Sequence, residues 1–303
     1  MNEADPFVRA LTGDGAASTV TLARRYAVPI AEVWHALTTP ERVARWYGTI
    51  VGDPPRAPGD RFDVDLGSGM VRRAELEGCD APRALSYTWW SGDDDPGLVR
   101  IRLVTVENGT EVTVTHDRLR PHRMVGYGAG WEQSLVALAA TLGDPASGAD
   151  ATSAPDRGAR WELLRRSPLA IDFHLDAPVE RVWASWASAP ALAAWWWSHW
   201  DDVVIDADVR VGGAYRIDAP DHGFSVAGEY LVVEPRSRLA FTWAWTDEDG
   251  AIRDEAVDVE FADHDGGTTL TIRHTGPWDG SGPAASYAEG WRFVVAELAR
   301  SLA

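Results

Sequence analysis

Two histidines in this 303-residue chain stand where an imidazole could hold or move a proton. His116 closes the alternating run Val112, Val114, His116, and His274 closes Leu270, Ile272, His274, so each continues an apolar strand face at its end. Such a residue is a candidate general acid or base, or a single polar anchor for a ligand. A structural imidazole bonded to neighbouring backbone fits the same pattern. Asp117 alternates to the face opposite His116 and gives it no obvious dyad partner. The other candidates are aromatic, in a chain with 16 tryptophans. Leu239, Phe241, Trp243 and Trp245 share one strand face, as do Leu85, Tyr87 and Trp89 earlier. With Tyr127, Trp131, Trp196, Tyr287 and Trp291 they are the candidate walls of a slot for a flat apolar molecule. The run Trp195-Trp196-Trp197-Ser198-His199-Trp200 cannot bury every ring on one helical face, so one ring is expected at an opening or an interface.

Other chemistries lack their residues. Cys79 is the only cysteine, which excludes an internal disulfide and a cysteine-built metal site, and no His-Glu-x-x-His occurs; no metal and no cofactor are expected. All 28 basic residues are arginine, so a P-loop lysine and a Schiff-base lysine are absent. Gly223-Phe224-Ser225-Val226-Ala227 lacks the final glycine of a nucleophile elbow. The formal net charge is −18 and both halves are acidic, which argues against nucleic-acid or anionic-membrane partners. The acidic triplets Asp93-Asp94-Asp95 and Asp247-Glu248-Asp249 read as solvated loops. The start, Met1-Asn2-Glu3-Ala4-Asp5-Pro6, has no basic n-region and no apolar stretch behind it, so no secretory leader is expected and the expected location is the cytoplasm.

The elements that must position these side chains come in two rounds. Val28-Pro29-Ile30-Ala31-Glu32-Val33-Trp34 is answered by Ala177-Pro178-Val179-Glu180-Arg181-Val182-Trp183. Trp46 is aligned with Trp196 after one inserted residue, Tyr87-Thr88-Trp89 with Phe241-Thr242-Trp243, and Tyr127 to Trp131 with Tyr287 to Trp291. So many ordered matches make the chain an internal duplication. Each half reads as a strand, two short helices, several antiparallel strands and a long helix. Asn108-Gly109 marks a hairpin. The closing helices carry Trp131, Leu135, Leu138, Leu142 and Trp291, Val295, Leu298, Leu302 as single apolar stripes. The expected domains are 15–144 and 160–303, joined by a flexible linker over 145–159 rich in small residues, proline and aspartate.

This arrangement resembles the START-like (SRPBCC) superfamily, in its branch homologous to the activator of the heat-shock protein 90 ATPase. The first copy carries Pro29, Val33, Trp34, Thr39, Pro40, Glu41, Trp46, His116, Gly130 and Trp131 of the pattern. The second carries Pro178, Val182, Trp183, Pro190, Trp196, His274, Gly276, Gly290 and Trp291, with Ala191 in place of Glu41. The resemblance implies an α+β fold of two tandem helix-grip domains, each an antiparallel sheet wrapped around its C-terminal helix with a cavity between them. Three functions follow as expectations. The first is binding of a hydrophobic or aromatic small molecule, with the better site in the more aromatic second copy. The second is a cyclase, dehydratase or hydrolase using a cavity histidine, and the third a chaperone ATPase-activating module. An intramolecular contact between the domains is also expected.

Overall fold

In the computed structural model of the chain, the described residues are 5–13, 17–67, 69–90, 96–144, 154–166, 169–278 and 281–303. Asp93-Asp94-Asp95 and the first part of the expected linker lie outside them. The chain divides into two compact units, Met1–Arg9 with Gly13–Glu162, and Ala10–Thr12 with Leu163–Ala303.

The first round runs β1 (Phe7–Gly13), β2 (Ser18–Tyr26), α1 (Ile30–Thr38), α2 (Pro40–Val43), β3 (Thr49–Val51), β4 (Arg61–Asp65), β5 (Val71–Asp80), β6 (Ala84–Trp90), β7 (Gly97–Val106), β8 (Gly109–Leu119) and α3 (Met124–Leu142). A further helix, α4 (Ala154–Arg166), follows. The second round runs β9 (Leu169–Leu175), α5 (Val179–Ala184), α6 (Ala189–Ala193), β10 (Val204–Ala207), β11 (Ala214–Ala219), β12 (Phe224–Glu234), β13 (Arg238–Asp247), β14 (Gly250–Ala251), β15 (Glu255–His264), β16 (Gly267–Thr275) and α7 (Gly282–Leu302). Each round makes an eight-stranded sheet, in the orders β1-β2-β8-β7-β6-β5-β4-β3 and β10-β11-β12-β13-β15-β16-β9 with β14 beside β13. The pairings around both sites are antiparallel. These are two helix-grip domains of the α+β class.

The local reasons repeat between copies. Pro29 and Pro178 precede the first helix in extended conformation, where a missing N–H costs nothing. Thr110 Oγ1 donates to the Val28 carbonyl at 2.8 Å and Thr268 Oγ1 to that of Ala177 at 2.7 Å, fixing the hairpin of each copy on the strand-to-helix turn. Both sheets carry a register shift at the same place, between Leu76 and Gly78 and between Tyr230 and Val232. Alternation along β8 and β16 puts Val112, Val114 and His116, and Leu270, Ile272 and His274, on the buried face as expected. The stripes Trp131, Leu135, Leu138 and Trp291, Val295, Leu298, Leu302 are buried against these faces.

Two expectations are corrected, and a third holds for a different reason. Residues 154–159 are the start of α4, not a tether, because Trp161 and Leu164, three apart on that helix, give it an apolar stripe to bury. Trp161 packs so closely on α3 that a Cβ at Gly128 would lie 2.4 Å from its ring. The first sheet also begins before residue 15, since β1 forms its edge. Three rings of the tryptophan run, Trp195, Trp196 and Trp197, are buried in the second core, and the fourth, Trp200, is only partly buried against it. Helix α6 stops at Ala193, and Trp197 turns the chain with φ of 51°, so the rings are not restricted to one helical face.

Candidate functional site

In the first copy the site is built where α3 crosses β6 and β8. Trp131 on α3 donates its indole N–H to Nδ1 of His116 at 3.1 Å. An indole nitrogen only donates, so Nδ1 accepts and the neutral ring carries its proton on Nε2. His116 is buried, its Nε2 has no hydrogen-bond partner among the described residues, and burial pushes its pKa down to about 3. Gly97, on β7, leaves room for the ring: a Cβ there would meet Nε2 at 2.4 Å. Tyr127 covers the imidazole edge-on, with ring centroids 4.5 Å apart. In front of this pair, Tyr47 stacks on Trp131 at 5.2 Å and 12° and lies 5.6 Å from Trp89. Its hydroxyl meets that of Tyr87 at 3.4 Å, and burial raises both hydroxyl pKa values.

A cavity of about 330 Å³ opens beside these rings. Tyr47, Trp89, Tyr127 and Trp131 form its aromatic wall, Leu66 and Met70 its aliphatic one, and Arg72, Arg123 and Ser134 add polar groups. Gly126 and Gly130 line the α3 side, one turn apart, and a Cβ on either would meet nothing within 4 Å. His116 is not among the lining residues; it stands behind Tyr127 and Trp131.

The second copy keeps the frame and changes the contents. Trp291 donates to Nδ1 of His274 at 3.3 Å, and burial again drives that imidazole's pKa down to about 3. The strand register places Glu255 where the first copy has Gly97, since Trp243 faces Glu255 and Trp89 faces Gly97. The Glu255 carboxylate is fully buried, 3.9 Å from Nε2 of His274. It accepts from Trp278 Nε1 at 2.5 Å and Tyr287 Oη at 2.7 Å. Burial outweighs these bonds and pushes its pKa up to about 7. Trp278 stacks on Tyr287 at 5.4 Å and 28°, closing over the group. Trp196, Val226 and Val294, the counterparts of Tyr47, Arg72 and Ser134, are buried in the second core.

The family model for activator of Hsp90 ATPase homolog 1-like proteins matches the chain twice, over residues 27–143 and 176–303. The chain belongs to that family. Its two matches are tandem copies of the SRPBCC fold. Among solved structures, CalU16 from Micromonospora echinospora is similar at 26% identity over 54% of this chain and 100% of that chain, with a TM-score of 0.45. DynU16, a protein from the dynemicin biosynthetic locus, is 18% identical over 99% of this chain and 100% of that one, with a TM-score of 0.37. MLL2253 from Mesorhizobium loti is 28% identical over 41% of this chain and 96% of its own, with a TM-score of 0.38. A comparison with curated proteins gives no match.

In this activator-homologue chain, Trp89, Tyr127 and Trp131 line the first cavity. Tyr87 stands behind it, through its hydroxyl contact with Tyr47. In the second copy, Trp196, Phe241, Trp243 and Trp291 are buried core, with Trp196 5.7 Å from Trp291 and 6.1 Å from Trp243. Trp245 is half-buried, stacked on Phe224 at 4.9 Å and bonded to Asp247 at 2.8 Å. The aromatic surplus of the second copy therefore fills its interior, and the described cavity lies in the first.

The alignment of Trp46 with Trp196 is corrected too. Trp46 donates to the Ala36 carbonyl ten residues back at 3.0 Å, and Trp195 makes the same bond to Ser185 at 2.8 Å. Trp196 thus answers Tyr47, a lining residue that the extra inserted residue hid. Glu255 was also missed, because the repeat sets a glycine against it. Among the described residues no group of three or more His, Cys, Asp or Glu side chains could hold a metal ion. No described helix is long and apolar enough to cross a membrane.

Proposed function

We propose that the protein binds a flat, largely apolar small molecule in the cavity of its first copy, and that the second copy is a closed scaffold. The observation that carries this reading is the contrast at matched positions. Tyr47, Arg72 and Ser134 border open space in the first copy, whereas Trp196, Val226 and Val294 are packed in the second. A cavity of about 330 Å³ is at the small end of ligand pockets, suited to a compact ring system and too small for a long lipid. His116 takes no direct part, being neutral above pH 3 and shielded by Tyr127 and Trp131. It holds Trp131 in place. A cytoplasmic location remains part of this proposal.

The test is to fill the cavity. In Gly130→Leu the new side chain enters open space on the α3 face, so the fold is retained. Replacing glycine within a helix also adds up to about 1 kcal/mol of stability. Quenching of tryptophan fluorescence by planar aromatic ligands is expected in the parent and absent in the variant, with an unchanged or raised melting temperature. Equal quenching in both proteins would refute the reading.

A second reading, acid–base chemistry in the second copy, is favoured by the Glu255, His274 and Tyr287 group. Both the carboxylate and the imidazole are sealed under Trp278, so a substrate would reach them only if that ring left.

A further inference from the structure

We infer that the ligand of the first copy is an anion, a carboxylate or similar acidic group carried on the flat aromatic body. This rests on the cavity reading above and adds to it the ligand's charge. The chain has 46 acidic residues against 28 basic ones, yet among the described residues no carboxylate lines the cavity and two arginines do. Several of its other guanidinium groups pair with carboxylates, as in Arg25 with Glu111 at 2.8 Å, Arg61 with Glu75 at 2.7 Å, Arg238 with Asp258 at 2.6 Å and Arg273 with Glu260 at 2.9 Å. Arg72 is different. Its guanidinium touches the Val71 carbonyl at 3.3 Å and the Met70 sulfur at 4.0 Å, and among the described residues no carboxylate pairs with it.

Position supports the same conclusion. Arg72 lies on β5 two residues before Ala74, which faces Trp89, so its half-buried side chain reaches the cavity beside the aromatic wall. Its charge reaches inward: the Tyr47 hydroxyl, whose pKa burial pushes well up, feels Arg72 as a small opposing influence. The second copy has Val226 at the matching strand position, fully buried, so the cation is absent where the cavity is filled. A cation bonded only to a neighbouring carbonyl and a thioether among the described residues offers an acidic ligand the fork geometry that carboxylates and sulfonates fit. Arg123, at the start of α3, lines the same mouth.

Two fluorescent probes test the charge: anilinonaphthalene sulfonate, and phenylnaphthylamine as its neutral relative. The net charge of −18 opposes non-specific binding of the anionic dye. The parent is expected to bind the sulfonate at least about tenfold more tightly than the amine, the gain of a charge-assisted hydrogen-bonded pair. The double variant Arg72→Gln with Arg123→Gln should bring the two affinities within about threefold, and Gly130→Leu should abolish both. Equal affinities in the parent, with both lost in Gly130→Leu, overturn the anion assignment and leave the cavity reading standing. A sulfonate preference unchanged in the double arginine variant overturns the assignment as well. Binding of neither dye, or binding that Gly130→Leu does not alter, overturns both inferences.

Discussion

Glu132→Ala is expected to remove about 3–5 kcal/mol from the stability of the first copy, the cost of breaking a buried ion pair from one side. The Glu132 carboxylate accepts from Arg9 Nε at 3.0 Å and Nη2 at 2.9 Å, and both side chains are 1% exposed. It also accepts from Trp161 Nε1 at 3.3 Å, so one group on α3 ties down β1 and α4. Its loss leaves the Arg9 guanidinium buried with Asp5, itself a third exposed, as a counter-charge on the other side. Trp161 loses its acceptor at the same time. Glu132→Gln, which keeps an acceptor for one donor and cancels the charge, should cost less than the alanine. Urea titrations followed by circular dichroism measure both. A loss below about 1 kcal/mol for the alanine would mean that water or Asp5 compensates and the pair carries little.

Much of this architecture could be read from residue order. Proline before each first helix, Asn108-Gly109 between alternating runs and the helical stripes behind Trp131 and Trp291 each constrain the backbone locally, and they agree with one another. Strand parity also placed both histidines on the buried face. What could not be read was set by packing across elements. Arg9 and Glu132 are 123 residues apart, and each alone reads as an ordinary surface charge. Residues 154–159 carry a linker's composition, and the helix they start is fixed by contacts distant in sequence, Trp161 against Gly128 and its bond to Glu132 at 3.3 Å. Glu255 looks like one more acidic residue in an acidic chain. Its burial follows from strand register, which sets it beside Trp243 and two positions from the partner of His274. Whether aromatic rings pack or line a slot is likewise undecided by their spacing. Trp196 and Tyr47 hold matching places, yet one fills the interior and the other borders a cavity.

The exchange of Gly97 for Glu255 has its largest expected consequence in the response to acid. In the first copy His116 is neutral down to about pH 3, whereas unfolded histidine titrates near 6.5. Unfolding below pH 6.5 therefore takes up one proton. The stability due to the depressed pKa is fully present above 6.5 and falls by about 1.4 kcal/mol per pH unit as acid is added. Between pH 6.5 and 5 the first copy should lose about 2 kcal/mol. The second copy contains the same buried imidazole with an opposing group. Glu255 titrates near 7 in the fold and 4.5 when unfolded, so its contribution is fully present below 4.5 and is lost as pH rises through 7. Between about pH 4.5 and 6.5 the folded Glu255–His274 pair holds one proton, and the unfolded pair also holds one, now on the histidine. No net proton moves, and the stability of the second copy should be nearly flat across that window. Hydrogen exchange of peptides from β8 and β16, corrected for intrinsic rates, separates the two copies at pH 6.5 and pH 5. Protection of β8 should drop by about 2 kcal/mol while that of β16 holds. In Glu255→Gln the compensation disappears, and β16 should become as acid-sensitive as β8. Equal acid sensitivity of β8 and β16 in the parent would show that Glu255 and His274 do not share a proton in the fold.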